Sequence, residues 1–378
     1  MNKQEVFFVN NNNYECIDAY LSNNNVKKFL LVCGNSINKL NINNYFNDLV
    51  NSGKYSIVKF SEFTPNPKYE SIVKGVEIFD KEKCQAIIAV GGGSAIDVAK
   101  CIKLYSKLDV RKKLFDQNLV PNNIKLLAVP TTSGSGSEAT RYAVIYYNNE
   151  KMSITDETII PSAVFFDSSV LEQLSNYQKV SPMLDALCHG IESFWSVNST
   201  EESQKLSSKA LNLIVNNIDG YLINDKISNS NIQLAAYTAG QAINVTQTTA
   251  GHAMCYKLTT MYNIAHGHAA FLCVNSLFKY TVENINNCID PRGSNYLSNI
   301  MLKISSSLGY NDINSAISFL SNLVYKLNLS IPHPKIDDYK VLIDSVNLVR
   351  LKNNPIKLEK DDLEYLYHNI LEGSYNEN

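Results

Sequence analysis

The sequence predicts an α/β domain with a parallel sheet over residues 1–179, followed by an all-helical domain over residues 180–378. In the first half, short buried apolar runs alternate with amphipathic segments, which is typical of successive βαβ units. In the second half, apolar residues recur at a spacing near 3.6, and no further glycine-terminated strand is evident. A chain of 378 residues is also the length expected of about two domains.

Five apolar runs predict the strands of the first domain, and each ends at small or turn-forming residues. In chain order they are KKFLLVCG, YSIVKFSEF, CQAIIAVGGGS, NIKLLAVPTTSGSGS and SAVFFDSSVL. Helical patterns lie between them, as in PKYESIVKGVEIFDKEK and SAIDVAKCIKLYSK. The second domain begins near residue 180, where helical patterns take over: SPMLDALCHGIESFWSV, EESQKLSSKALNLIVNNIDGYL, NIQLAAYTAGQAIN and HGHAAFLCVNSLFKYTVENI.

Composition argues against several classes of protein. Lys and Arg number 34 against 36 Asp and Glu, so the chain lacks the basic excess of an electrostatic nucleic-acid binder. No apolar run approaches the roughly 18 residues of a membrane span, and the N-terminal MNKQEVFFVNNNN lacks the apolar core of a signal peptide. The eight cysteines form no CxxC pair, which indicates reduced thiols. We therefore expect a cytoplasmic protein with no nucleic-acid or membrane partner.

Three consecutive glycines, Gly91, Gly92 and Gly93, stand between a predicted strand and a predicted helix. Without side chains they let the backbone approach a ligand closely, and the helix start offers N–H groups and a positive dipole end to a phosphate. The alternative is a tight strand-to-helix turn with Asp97 in the first helical turn. Because three glycines exceed what a turn needs, we favour pyrophosphate binding.

A second loop, from Pro130 to Thr140, also follows an apolar strand and reads PTTSGSGSEAT. Its Gly134, Gly136 and Ala139 match the dinucleotide fingerprint GxGxxA, but that fingerprint belongs on the first strand-to-helix turn of such a domain. We interpret the segment as a hydroxyl-lined loop beside the phosphates and nicotinamide of a cofactor. Taken alone, it would more simply be an ordinary loop rich in Ser, Thr and Gly.

The helical domain contains a candidate metal site. Asp185 and His189 are four residues apart, so a helix places both on one face, although such a pair alone is more often an ordinary hydrogen bond. Three more of the six histidines, His252, His266 and His268, fall in two short segments of the same domain. A set of three imidazoles and one carboxylate suits Fe²⁺ or Zn²⁺.

Together these segments resemble the iron-containing (group III) alcohol dehydrogenase family. The matching features are GGGSAID, PTTSGSGSE, DALCH, and His252 with His266 fourteen residues later. The resemblance implies a dinucleotide-binding α/β domain and a helical metal-binding domain, an arrangement similar to that of dehydroquinate synthase. It also implies an NAD(P)-dependent oxidoreductase acting on CH–OH groups, by hydride transfer between a nicotinamide and a carbonyl carbon.

Carried over residue by residue, the resemblance implies ligands for Fe²⁺ or Zn²⁺ at Asp185, His189, His252 and His266. The residues expected to bind NAD(P)H are Gly34, Gly91, Gly92, Gly93, Ser94, Asp97, Thr131, Thr132, Ser135, Thr140 and Lys151. Many members have a second histidine near the nicotinamide where this sequence has Tyr256, so Tyr256, His268, water or a ribose hydroxyl could relay the catalytic proton. Gly34 stands where NAD-preferring members often have Asp, which leaves NADP possible because no carboxylate repels its 2′-phosphate.

The variant HAMCYK followed by AHGHAA is most similar to the phosphonoacetaldehyde reductase branch of the family. That similarity implies a role in phosphonate metabolism, the reduction of phosphonoacetaldehyde to 2-hydroxyethylphosphonate. Arg141 and Lys257 are candidates for binding the phosphonate, since both are basic and close to the motifs, but either could instead be a surface charge. The alternatives are a general short-chain alcohol or diol dehydrogenase, a dehydroquinate-synthase-like lyase, and a noncatalytic NAD-binding scaffold. We expect a homodimer or larger homo-oligomer.

Overall fold

Six parallel strands form one sheet in the N-terminal half of the chain, in a computed structural model that describes residues 4–148 and 150–373. The strands of this half are β1 (Glu5–Val9), β2 (Lys28–Cys33), β3 (Ser56–Phe60), β4 (Ala86–Gly91), β5 (Lys125–Pro130), β6 (Tyr142–Tyr147), β7 (Glu150–Thr155) and β8 (Ala163–Asp167). The parallel sheet has the order β1-β8-β5-β4-β2-β3, and β6 pairs with β7 as a separate antiparallel hairpin. The helices of this half are α1 (Glu15–Asn23), α2 (Asn41–Asn51), α3 (Tyr69–Lys81) and α4 (Gly93–Tyr105).

The strand order reverses at β2, which pairs with β3 on one side and with β4 on the other. In register, Cys33 at the end of β2 stands opposite Val90 of β4. Gly34 and Gly91 therefore leave neighbouring strands at the same carboxyl edge of the sheet. Such a switch point is where open parallel sheets bind their ligands.

The C-terminal half of the described chain is built from helices. They are α5 (Asn176–Trp195), α6 (Glu201–Val215), α7 (Ile218–Leu222), α8 (Lys226–Thr246), α9 (Ala250–Tyr262), α10 (His266–Glu283), α11 (Ser294–Ser307), α12 (Ile313–Lys326), α13 (Asp338–Asp344), α14 (Leu348–Leu351) and α15 (Lys360–Glu372). Helix α5 contacts α6, α8 and α10 and is buried along nearly its whole length, so its polar residues Asp185, His189 and Glu192 lie in the interior.

The structure divides into two compact units, Met1–Leu174 and Ser175–Asn378. The boundary expected from the sequence, after residue 179, falls within the first turns of α5. The prediction of a parallel α/β domain followed by a helical domain is confirmed. No helix among residues 4–148 and 150–373 combines the length and the apolarity that crossing a membrane requires.

The five predicted strands are all present, but β1 and the β6–β7 hairpin were not predicted from the sequence. Strand β1 lies at the edge of the sheet, where Phe8 is 52% exposed, so its pattern differs from that of the buried strands. The hairpin alternates half-buried and buried residues over β6, with Ala143 and Ile145 buried. Its period of two is the signal that could have revealed it.

Candidate metal centre and coenzyme loops

One carboxylate oxygen stands at the centre of three imidazoles in the C-terminal unit. The Oδ1 atom of Asp185 lies 3.2 Å from Nε2 of His252. The same oxygen lies 3.9 Å from Nε2 of His189 and 3.8 Å from Nε2 of His266. Asp185, His189 and His252 are buried, whereas the side chain of His266 is 39% exposed. The structure thus brings together the four side chains expected to bind a metal, with one of them open to solvent.

Three helices supply these side chains, and local sequence signals set where each helix begins or ends. Helix α5 starts with a capping box in which the Ser175 hydroxyl accepts a hydrogen bond from the Gln178 N–H, while the Gln178 side chain accepts one from the Ser175 N–H. Helix α9 ends at Asn263, which adopts the left-handed conformation with φ of 52°. The chain reverses there, and α10 begins with His266.

Gly267 allows α10 to approach α5 closely. A Cβ atom at this position would lie 1.9 Å from the Ser181 carbonyl oxygen and 2.8 Å from Cβ of Asp185. No side chain fits at those distances, so glycine is required where the two helices meet. The preceding residue, His266, is thereby brought to Asp185.

The spacing of these groups fits a single divalent ion. Ligand atoms of Asp185, His189 and His252 all lie within 4.8 Å of one another. Ligands about 2.1 Å from a tetrahedral metal stand roughly 3.4 Å apart, which is close to the observed distances from Asp185 Oδ1. One carboxylate and three imidazoles are donors suited to Fe²⁺ or Zn²⁺.

Glu192 orients His252 from the interior, a contact that sequence reasoning missed. Its Oε2 atom meets Nδ1 of His252 in a short hydrogen bond, which leaves Nε2 to face Asp185. Its Oε1 atom accepts hydrogen bonds from the Thr249 N–H and hydroxyl, at 2.9 and 2.7 Å, and from the His252 N–H at 3.2 Å. A carboxylate behind a metal-binding histidine fixes its ring and tautomer. The signal was available, because Glu192 follows His189 by three residues on the same face of α5.

The charges of this cluster support cation binding. Burial by itself raises the pKa of Glu192, but His252 and the Thr249 donors outweigh it and lower the pKa to about 2. Burial likewise opposes the charged form of Asp185, yet the surrounding histidines lower its pKa. Burial lowers the pKa of His252, but Glu192 and Asp185 together raise it to about 9. Two buried carboxylates thus attract positive charge to this site, and a divalent ion would replace the proton on Nε2.

The two candidate proton relays lie in different surroundings. The Tyr256 ring stacks on His266, with centroids 5.5 Å apart and planes at 11°, and its hydroxyl accepts a 2.7 Å hydrogen bond from Arg350. Burial raises the pKa of Tyr256, although Arg350 opposes the shift. His268 is buried, its Nδ1 lies 3.0 Å from the Tyr177 hydroxyl, and burial lowers its pKa. Of these two, Tyr256 adjoins the candidate metal ligands.

The two predicted coenzyme loops lie side by side in the N-terminal unit. Gly91 pairs in register with Pro130, and its carbonyl accepts a 3.1 Å hydrogen bond from the Thr131 N–H. A Cβ at Gly92 would lie 3.0 Å from the Thr132 hydroxyl oxygen, and one at Gly93 would lie 2.9 Å from that of Ser135. A side chain at either glycine would press on a hydroxyl group of the second loop, so the glycines ease the close contact between the loops. Helix α4 begins at Gly93, with Ser94 in its first turn, so its N-terminal N–H groups adjoin the hydroxyl-lined loop.

Two side chains of α4 hold the second loop in place. The Asp97 carboxylate accepts hydrogen bonds from the Ser137 hydroxyl at 2.5 Å and the Val144 N–H at 3.0 Å. Lys100 is fully buried and donates to the carbonyl oxygens of Thr140 and Tyr142, each at 2.7 Å. Asp97 and Thr140, expected to touch the coenzyme, thus take part in the scaffold of its loop. Lys100 was missed because a lysine on an amphipathic helix ordinarily reaches solvent.

Four further residues predicted to bind the coenzyme or the substrate differ in their surroundings. A Cβ at Gly34 would meet no atom within 4 Å. Lys151 lies opposite Tyr146 in the hairpin and is exposed. The Arg141 guanidinium forms a 2.6 Å ion pair with Glu157, so an anion there would compete with a carboxylate. Lys257 follows Tyr256 on α9 and is half-buried.

Comparison with protein-family models matches both units of the chain. The model for iron-containing alcohol dehydrogenase matches residues 5–168. The model for the C-terminal part of the Fe-containing alcohol dehydrogenase family matches residues 179–371, which include all four candidate metal ligands.

Individual relatives agree with these matches. The chain is 29% identical to phosphonoacetaldehyde reductase from Streptomyces viridochromogenes, over 74% of this chain and 75% of the relative. It is 26% identical to an NADPH-dependent butanol dehydrogenase from Clostridium saccharobutylicum, over 82% of each chain. In fold it resembles the crystal structure of sulfoacetaldehyde reductase from Bifidobacterium kashiwanohense in complex with NAD⁺, with a TM-score of 0.87, 20% identity, and coverage of 100% of this chain and 98% of that one.

Proposed function

This chain belongs to the iron-containing alcohol dehydrogenase family, and we propose that it reduces phosphonoacetaldehyde to 2-hydroxyethylphosphonate with a divalent metal and NADH or NADPH. As a member of that family it is an oxidoreductase acting on the CH–OH group. The observation that carries the proposal is the convergence of three imidazole Nε2 atoms on Oδ1 of Asp185.

The metal would be held by Asp185, His189, His252 and His266, with Fe²⁺ as the family's metal and Zn²⁺ as an alternative. When bound, the ion supplies Lewis-acid stabilisation of the negative charge that develops on a carbonyl oxygen during hydride transfer, typically several kcal/mol. Glu192 keeps the ring of His252 in the orientation that this coordination needs. The side chain of His266 is 39% exposed, so the candidate site is open to solvent at this ligand.

The coenzyme would be bound by the glycine turn and the hydroxyl-lined loop. Gly91, Gly92 and Gly93 admit its pyrophosphate to the start of α4, where N–H groups and the helix dipole favour negative charge. Thr131, Thr132 and Ser135 supply hydroxyl groups next to that turn. The hydride acceptor is the carbonyl carbon, so one proton is also needed to complete the alcohol.

Tyr256 is the residue we assign to that proton transfer. The phenol carries its proton at neutral pH, so it acts as a proton donor rather than as a base. Burial raises the pKa of Tyr256 and so makes it a weaker acid, and the charge of Arg350 opposes that shift. The hydrogen bond from Arg350 supports the phenolate that remains after transfer. His268 is less suited, because its ring lies in the interior against Tyr177.

The phosphonate substrate is supported by the identity with phosphonoacetaldehyde reductase over three quarters of the relative's length. A second candidate is a general short-chain alcohol or diol dehydrogenase, which the similarity to a butanol dehydrogenase favours. A panel of short aldehydes with and without a phosphonate, assayed with NADH and with NADPH, distinguishes the two. We expect the highest kcat/KM with phosphonoacetaldehyde. Better activity with butanal would favour the second candidate.

A further inference from the structure

We propose that Arg350 binds the anionic group of the substrate and so makes this enzyme selective for short aldehydes that carry a phosphonate or sulfonate. The inference rests on the proposed aldehyde reduction and names a substrate-binding residue for it. Arg350 lies on α14, far along the chain from the sequence motifs, and contacts the residue next to the metal centre.

The position of Arg350 follows from packing between α14 and α9. Helix α9 carries His252 and, one turn later on the same face, Tyr256. The Arg350 guanidinium donates a 2.7 Å hydrogen bond to the Tyr256 hydroxyl, and its Cζ lies 5.2 Å from the centre of that ring. The same ring stacks on His266. A positive charge therefore stands one aromatic side chain away from a candidate metal ligand.

Arg350 differs from the other three arginines in the groups that surround its guanidinium. The chain has four arginines, and the structure describes all of them. Arg111, Arg141 and Arg292 each form an ion pair, with Asp109, Glu157 and Asp290 respectively. The hydrogen bonds that the Arg350 guanidinium makes to described residues go instead to two neutral oxygens, the hydroxyls of Tyr256 and Thr248. Its charge is therefore not neutralised by a carboxylate within those residues.

The backbone around Arg350 is held in place by the helical unit. Asn353 donates to the carbonyl of Thr248 at 3.2 Å, and its own carbonyl oxygen accepts a 3.1 Å hydrogen bond from the Val197 N–H. The segment is thus anchored to the start of α9 on one side and to the end of α5 on the other. An arginine held in this way presents its planar fork without a large loss of entropy on binding.

A tetrahedral anion suits this fork. Phosphonate and sulfonate oxygens accept two parallel N–H bonds from a guanidinium, which are shorter and stronger than bonds between neutral groups. In a two-carbon aldehyde of this kind, a single CH₂ group separates the anionic group from the carbonyl carbon. The metal and the positively charged side chain that binds the anion must therefore lie close to each other. Arg350 meets that requirement from within the unit that holds the metal ligands. Arg141 belongs to the other unit and is paired with Glu157.

The test compares Arg350→Met, which removes the charge but keeps an apolar stem, with Arg350→Lys, which keeps the charge without the fork. Each variant is assayed on phosphonoacetaldehyde, on sulfoacetaldehyde and on 3,3-dimethylbutanal, which is uncharged and of similar shape. We expect Arg350→Met to raise KM for both anionic aldehydes at least about tenfold, with KM for the neutral aldehyde nearly unchanged. Arg350→Lys should show a smaller loss. Arg111→Gln, which removes an exposed charge, is the matched control and should match the wild type.

Binding of ethylphosphonate, which has no carbonyl, gives a readout that does not depend on turnover. Calorimetry should show weaker binding to Arg350→Met and unchanged binding to Arg111→Gln. An equal rise in KM for charged and neutral aldehydes would mean that Arg350 only positions Tyr256, and the inference would be wrong, whereas a loss of kcat shared by all three aldehydes reflects its hydrogen bond to Tyr256. If Arg141→Met, and not Arg350→Met, raises KM for the anionic aldehydes alone, the anion binds at Arg141 and the inference is wrong. A wild type that reduces only neutral aldehydes overturns the inference and leaves aldehyde reduction standing. A wild type that reduces none of them overturns the proposed function, and ethylphosphonate binding then decides the role of Arg350 by itself.

Discussion

The carboxylate of Glu192 and the imidazole of His252 share a hydrogen bond in the interior of the helical unit, although sixty positions separate them in the chain. Both side chains are almost completely buried. This contact occupies Nδ1 of His252 and directs Nε2 to Asp185, so it fixes the orientation of one of the four candidate ligands. Glu192 is accordingly a positioning residue, which acts through His252 rather than on the substrate.

Replacing Glu192 with Gln should weaken metal binding. The amide keeps the size of the carboxylate but loses its charge, so it holds the imidazole less firmly, and a loss of about 10- to 100-fold in metal affinity is expected. Competition with a chelator of known affinity measures this directly, with circular dichroism as a check on folding. Glu202→Gln, at an exposed position of α6, is the matched control. Unchanged metal affinity in Glu192→Gln would show that the contact serves packing alone.

Replacing Gly267 with Ala should destabilise the helical unit. The added methyl group would overlap the Ser181 carbonyl at 1.9 Å, so α10 must move away from α5, which we expect to lower the free energy of unfolding by about 1–3 kcal/mol. Metal affinity should fall with it, because His266 moves too. Denaturant unfolding and metal titration measure the two effects. Gly34→Ala, where a Cβ meets no atom within 4 Å, should leave the stability nearly unchanged. An equally small effect at both glycines would contradict the close approach of α10 and α5.

The coenzyme preference should depend on Gly34. With no side chain at the end of β2, no carboxylate repels the 2′-phosphate of NADPH, and we expect NADPH to be accepted at least comparably to NADH. Gly34→Asp should shift the preference toward NADH, since two like charges at close range repel by about 1 kcal/mol or more. The ratio of kcat/KM for the two coenzymes, before and after the substitution, measures this. Strong discrimination against NADPH by the unaltered enzyme would contradict the prediction.

Much of the fold could be predicted because each unit has a clear local pattern. The strands β2, β4 and β5 are continuously apolar apart from the lysine that begins β2 and β5, as buried parallel strands are, and each ends at or just before a glycine or proline. The candidate ligands could be predicted because histidine is rare in this chain and clusters in two short segments, with Asp185 and His189 one helical turn apart.

The contacts that complete the site could not be predicted in the same way, because they join residues distant in sequence. Arg350 reaches Tyr256 across 94 positions, and no periodicity within α14 indicates its partner. From the sequence, Lys100 is expected to face solvent on an amphipathic helix. In the structure it is fully buried and donates a hydrogen bond to the carbonyl of Thr140, in the Pro130–Thr140 loop. Only tertiary structure assigns such residues to a site.

The most direct test of the metal centre measures iron content and aldehyde reduction on the same samples of wild-type protein and His266→Ala. We predict that the wild type binds iron and oxidises the reduced nicotinamide coenzyme when phosphonoacetaldehyde is added, and that chelation abolishes this turnover. His266→Ala should lose iron and turnover together, with turnover falling more than about 100-fold, as expected when an electrostatic stabiliser of the transition state is removed. Full turnover by the chelated wild type, or by His266→Ala without iron, would contradict the account.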